Sequence, residues 1–248
     1  LNRMRYDRYI FSAKEFIWYL LEGLAIDGMI AFLLYRSVIA FAILLPIVAV
    51  FLKRKERALM KNRQRELTLQ FREAISAVSA SIGAGYSVEN AFIEAGKDLR
   101  NLYPAKAPIV QEFAQIEGRL LANETIEQIL MDLAKRSGSE DIRDFADVFI
   151  TAKRSGGELP AIIRRTAGHI GDKIEVKREI DTLMSAKKME QNIMNVIPFF
   201  IILYVSLNSP GFLDVLYGNV MGIAIMTVCL VMYVLAWLLA EKIVSIEV

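Results

Sequence analysis

Helical periodicity fills the middle of this chain and gives way at both ends to unbroken apolar stretches. Phe71, Ile75, Val78 and Ile82 fall at i, i+4, i+7 and i+11; Val88, Phe92, Ala95, Leu99 and Leu102 repeat the stripe; Ile126, Ile129, Leu130 and Leu133 give a third. No alternation of period two competes with them. Gly83 and Gly85 end one helix, Ser87 can cap the next with Asn90 in the third position, Pro104 and Pro108 interrupt, and Gly138 followed by Ser139 restarts the chain. Six helices are predicted, at about 66–82, 88–102, 109–122, 126–136, 140–153 and 158–188. The middle therefore reads as an all-α bundle.

At the carboxyl end, 22 residues at 219–240 pass without a charged side chain. A helix rises about 1.5 Å per residue, so about 20 apolar residues cross a hydrocarbon core of about 30 Å. The shorter run 193–208 contains Pro198, which membrane helices tolerate better than soluble ones. SPGFLDVLYG at 209–218 has the turn chemistry and length to join the two as a hairpin. At the amino end, 16–34 and 37–52 are both apolar, the first containing Glu22 and Asp27. They read either as a hairpin turning at Tyr35, Arg36 and Ser37, or as one helix over 29–52 with Arg36 buried.

Charge orients these runs. Residues 53–192 carry 24 of the 30 Lys and Arg and 21 of the 28 acids. Between Lys53 and Arg65, seven basic residues face Glu56 alone, which marks the cytoplasmic side and offers contact to anionic lipid headgroups. Arg3, Arg5, Arg8 and Lys14 place the amino terminus on the same side, and four crossings satisfy both flanks. The expected organisation is a membrane segment of two helices at 1–52, a cytoplasmic helical domain at 53–192 and a transmembrane hairpin at 193–248. A net charge of +2 gives no ground for nucleic-acid binding. Cys229, the single cysteine, allows no intramolecular disulfide. The first apolar run carries no small-residue cleavage site of a signal peptide.

Catalytic chemistry finds little support. Glu140, Asp141, Asp144 and Asp147 lie at helical spacing, but acids in a first turn, with Ser139 as cap, are expected from the helix macrodipole. His169 has no second His or Cys to complete a zinc site and reads as a surface or partly buried side chain. No phosphate-binding loop is present, so neither cofactor, metal nor nucleotide is expected in the chain. Glu22 and Asp27 leave open a transporter subunit or membrane-bound enzyme with an intramembrane ion or proton site. Two glycine turns remain. Gly85 and Tyr86 occupy the first; Arg154, Ser155, Gly156, Gly157 and Glu158 form the second. Helix capping accounts for both, and exposed turns on a rigid scaffold are equally suited to binding.

AGYSVENAF at 84–92, AKRSGGEL at 152–159, IEVKREIDTLMSAKKMEQNIMNVIP at 174–198 and SPGFLDVLYG, in this order, resemble the type II secretion F-domain family. The likeness is closest to its Tad (Flp) pilus branch of TadB and TadC proteins and extends over roughly residues 30–245. It implies a non-enzymatic, multi-pass platform in a bacterial cytoplasmic membrane, on which a hexameric secretion ATPase acts so that pilin subunits enter a fibre. General secretion platforms carry two copies of the helical domain; the single copy here fits the Tad branch and implies pairing with itself or a sibling. The two glycine turns are then the candidate ATPase contact, and the long last helix a lever.

Overall fold

The computed structural model describes residues 5–155, 159–209 and 211–244. Regular structure among them is helical: α1 (Ala13–Tyr35), α2 (Val38–Gly83), α3 (Val88–Leu102), α4 (Pro108–Leu121), α5 (Ile126–Ser137), α6 (Glu140–Ser155), α7 (Leu159–Asn208) and α8 (Val220–Val244), with a 3-10 turn at Asp214–Leu216. The described residues form two compact units. The helical unit comprises those up to Ile10 and Glu56–Val176; the membrane unit comprises Phe11–Lys55 and those from Lys177 onward.

In the helical unit the sequence stripes become one core. Phe71 and Ile75 of α2, Phe92 of α3, Phe113 of α4, Ile129 of α5, Phe145 and Phe149 of α6 and Ile163 of α7 are all buried in it. Phe71 meets Phe145 edge-on at 5.3 Å, and Phe92 lies 6.0 Å from Phe113 and 5.9 Å from Phe149. Each such side chain contributes about 1.5–3 kcal/mol over its exposed state. Helix α3 packs on α4, α4 on α5 and α5 on α6.

The punctuation acts as the residues suggest. The Ser87 hydroxyl accepts the Asn90 N–H, Pro108 opens α4, and Gly138 closes α5 in the left-handed region at φ 65°. Ser139 directly precedes α6, where its carbonyl accepts the Arg143 N–H at 3.2 Å, and its hydroxyl shares a buried 2.9 Å hydrogen bond with that of Thr68. Two expected boundaries shift. The helix predicted from residue 66 begins at Val38, and the one predicted to end near residue 188 continues to Asn208. The charged stretches 53–65 and 177–192 contain neither glycine nor proline and are rich in helix-favouring side chains, so nothing stops the helices there. The joints expected at residues 52 and 192 thus fall within α2 and α7.

In the membrane unit, Arg36 adopts φ 44° and ψ 34°, which ends α1 and reverses the chain before Val38. This overturns the single helix over 29–52 and matches the turn at Tyr35, Arg36 and Ser37. Helices α1 and the head of α2 pack closely, because a Cβ on Gly23 would sit 2.9 Å from Val48 Cγ1. The end of α7 pairs with α8: the Tyr233 hydroxyl donates to the Asn195 carbonyl at 2.7 Å, and the Phe199 and Tyr233 rings meet edge-on at 5.3 Å. Among the described residues, three helices are long and apolar enough to cross a membrane, Ala13–Tyr35, a section of Leu159–Asn208, and Val220–Ile243. The apolar head of α2 meets Lys53, Arg54 and Lys55 too early to join them.

Candidate partner-binding end of the helical unit

The first glycine turn and the last turn of α6, which leads into the second, are brought to one end of the helical unit. Helix α2 closes at Gly83; Ala84 and Tyr86 donate backbone N–H groups to the carbonyls of Ala80 and Ser81 at 2.9 and 3.2 Å. Gly85 makes this closure possible at φ 96°. Tyr86 follows, 49% exposed and too open to be a core residue. Helix α6 closes with Arg154, exposed, and Ser155. Gly156, Gly157 and Glu158 lie outside the described residues.

Lys153 joins the two turns. From the last turn of α6 its ammonium reaches Glu89 in the first turn of α3 at 3.0 Å and Glu127 in the first turn of α5 at 3.2 Å. Each charge also sits where its own helix dipole favours it. Burial alone would lower the Lys153 pKa, but the hydrogen bonds and charges of Glu89 and Glu127 outweigh it and raise the value. Glu89 is likewise opposed by burial, yet its own backbone N–H and Lys153 hold it below the ordinary carboxylate range. On the neighbouring pair of helices, the Ser79 hydroxyl reaches the Pro160 carbonyl at 3.5 Å, and a Cβ on Gly83 would lie 3.8 Å from the Arg164 guanidinium. The result is an exposed aromatic and an exposed arginine at the same end of the unit, where Lys153 ties α6 to α3 and α5. Such a surface suits protein recognition, where Tyr and Arg are enriched.

Other candidates from the sequence are dispersed. Asp141 accepts a hydrogen bond from Lys173 at 2.7 Å, and His169 is exposed. No group of three His, Cys, Asp or Glu side chains that could hold a metal occurs among the described residues. Glu22 faces Lys55 at 3.6 Å, whereas Asp27 is buried at 2% exposure, so the two carboxylates do not form one site.

Sequence reasoning missed the role of Lys153, whose only signal was a base in a last turn and acids in two first turns. It also missed a buried charged network. Glu112, 1% exposed, receives both arms of Arg136; Asp132 bridges Arg136 and Arg119, and Arg119 continues to Glu124. Tyr6 inserts beside this network, also 1% exposed, with its backbone N–H donating to the Arg136 carbonyl at 2.9 Å.

The family model described as "Type II secretion system (T2SS), protein F" matches residues 69–207, more than half of the 248 residues. It covers the end of α2 through nearly all of α7 and leaves out α1 and α8. Among curated proteins and among solved structures, none matches the chain.

Proposed function

The chain belongs to the type II secretion system protein F family, whose members are membrane platform proteins, and from that premise we propose that it is the platform of a Tad-type pilus machine. In this reading it sits in a bacterial cytoplasmic membrane with its helical unit in the cytoplasm. A hexameric secretion ATPase docks on the Tyr86 and Arg154 turns, a second copy or a sibling supplies another helical unit, and pilin subunits are the cargo. The ordered motifs from AGYSVENAF to SPGFLDVLYG favour the Tad branch.

One observation carries the assignment of the contact. Lys153 gathers the first turns of α3 and α5 and the last turn of α6, so that Tyr86 and Arg154 share an end of the unit. The test is copurification of the secretion ATPase with full-length protein from membranes. Tyr86→Ala combined with Arg154→Glu is expected to reduce recovered ATPase about tenfold, equivalent to about 1.4 kcal/mol. Lys187→Glu, on an exposed pair with Glu190, serves as control. Full recovery with the double variant would move the contact elsewhere.

We read the head of α2 as a fourth crossing. Arg36 at its start pairs with Asp214, just before α8, at 3.2 Å and lies over the Tyr217 ring at 5.0 Å. Arg54 at its end pairs with Glu241, at the end of α8, at 2.6 Å and lies over the Trp237 ring at 4.6 Å. Both ends of the segment are therefore tied to both ends of the most apolar span. The 17 residues between the arginines rise about 26 Å, close to the depth of a hydrocarbon core. Arginine and aromatic side chains at both levels are what membrane interfaces collect.

A further inference from the structure

Gly23, Asp27, Ala31 and Leu34 share one face of α1 at i, i+4, i+8 and i+11, and all are buried. The head of α2 packs along this helix, with Val48 and Phe51 against Gly23 and Phe41 near Gly28. Amid this apolar packing lies the Asp27 carboxyl group, 2% exposed, with no hydrogen-bond partner for either oxygen. The other buried polar or charged side chains among the described residues, such as Glu112 and Thr68, belong to the helical unit.

A carboxylate stripped of water and left without hydrogen bonds is far too costly for packing to offset, so the group must meet a cation or take a proton. The charged groups on the elements around α1 are committed elsewhere. Glu22 is held by Lys55, Arg36 by Asp214 and Arg54 by Glu241. Between Arg36 and Lys53 the head of α2 has no Asp, Glu, Lys, Arg or His. Helix α8 brings Cys229, which is exposed, and Tyr233, which donates to Asn195, ahead of Glu241 and Lys242. At the end of α1, Tyr35 bonds Thr227 at 3.1 Å and Tyr217 donates to the Leu33 carbonyl at 2.7 Å. Tyr19 lies under the Lys55 ammonium at 4.8 Å. A hard metal ion takes about six or more oxygen ligands, and among the described residues no group of three His, Cys, Asp or Glu side chains gathers to hold one. At 2% exposure the group is also closed to a side chain from another protein.

We propose that Asp27 is a proton-binding site within the membrane unit. As α1 closes on the head of α2, the carboxylate accepts one proton from hydronium, forming an O–H bond and releasing water; when the helices part, the acid returns that proton to water. Packing of the first hairpin is thereby linked to proton uptake. The site lies outside the 69–207 match, so it depends on α1 being a membrane helix and not on the platform reading.

Infrared spectroscopy of the full-length protein in lipid vesicles tests this directly, because a protonated carboxyl and a carboxylate absorb in separate bands. The expected result at neutral pH is one protonated-carboxyl band that disappears in Asp27→Asn. Melting temperature supplies a second reading. The folded state holds a proton that unfolded Asp, with an ordinary pKa of about 3.9, has lost. Stability should therefore fall as pH rises above the ordinary Asp value of about 3.9, and Asp27→Asn should flatten that dependence. Asp27→Leu, also neutral, is expected to insert and fold as well. Persistence of the band in Asp27→Asn, an unchanged pH dependence, or failure of both neutral variants to fold would each overturn the proposal; the last would mean that the ionised form is what the seam requires.

Discussion

Arg136 forks onto Glu112 with hydrogen bonds of 3.0 and 2.7 Å, joining α5 to α4 inside the helical unit. Such pairs are expensive to break and much less expensive to replace, because removing one partner strands the other away from water. Glu112→Ala is expected to destabilise the unit by about 3–5 kcal/mol. A Glu112→Leu, Arg136→Met double substitution should recover most of that loss. Amide exchange across α4 and α5 in the full chain measures both; equal losses would show that the pair is not buried as described.

Tyr6 depends on the same network. Burial foremost, then the charge and hydrogen bond of Glu112, push its hydroxyl pKa above the ordinary tyrosine value, so the phenol stays neutral. The Arg63 guanidinium lies 5.2 Å from the ring centroid. Tyr6→Ala should cost about 3–5 kcal/mol through the cavity it leaves, and Tyr6→Phe about 1 kcal/mol through the lost hydrogen bond. Protease sensitivity of the segment before α1 should rise in the first variant and stay near wild type in the second.

Acid should loosen the helical unit. For Asp132, burial favours the neutral form, but the hydrogen bonds and charges of Arg136 and Arg119 prevail and hold it below its ordinary value; Glu89 is held low as well. A depressed folded pKa gives stability that is complete above the unfolded value, about 3.9 for Asp and 4.3 for Glu, and lost as pH falls through the folded one. Thermal unfolding should therefore show this contribution intact above about pH 5. Asp132→Asn should remove much of the decline below it.

The turn at Gly85 is a backbone requirement without a steric one. With φ at 96° and no atom within 4 Å of the place a Cβ would occupy, substitution meets conformational strain alone. Gly85→Ala should lower stability by about 1–2 kcal/mol, and Gly85→Asn by less. If Tyr86 is a docking residue, Gly85→Ala should also weaken ATPase recovery, whereas Tyr86→Ala should weaken recovery with little change in stability.

Crossing number is open to labelling. In a Cys229→Ser background, a Ser37→Cys substitution should react in intact cells with a thiol reagent that cannot pass the cytoplasmic membrane, once that reagent has access to its outer face. Reaction only after the membrane is opened would place the Arg36 turn inside and remove the fourth crossing.

Much of this arrangement was legible in residue order. Helices α3 to α6 begin and end within a residue or two of the positions set by Ser87, Pro108 and Gly138, because caps and breakers act locally. The lengths of α2 and α7 were legible only in part: 53–65 and 187–192 lack the composition of a flexible linker and the last helix was expected to run toward Ile193, but no cap or breaker placed the start of α2 at Val38 or the end of α7 at Asn208. The insertion of Tyr6 beside Arg136 is a long-range contact that no local pattern announces. Glu22 and Asp27 were equivalent as letters; a neighbouring lysine for one and a tight glycine-lined seam for the other separate them. At the candidate contact, the glycine turns were visible, but bringing the end of α6 to the starts of α3 and α5 required Lys153 to meet two acids from different helices.

Pro198 lies inside α7, where it can offer no N–H to the carbonyl of Met194. One residue on, the Asn195 carbonyl receives the Tyr233 hydroxyl from α8. A rung is missing and a phenol stands beside the gap, so the membrane section of α7 behaves as a joint whose stiffness is set by its neighbour. Tyr233→Phe should make that joint more pliant without shortening the helix.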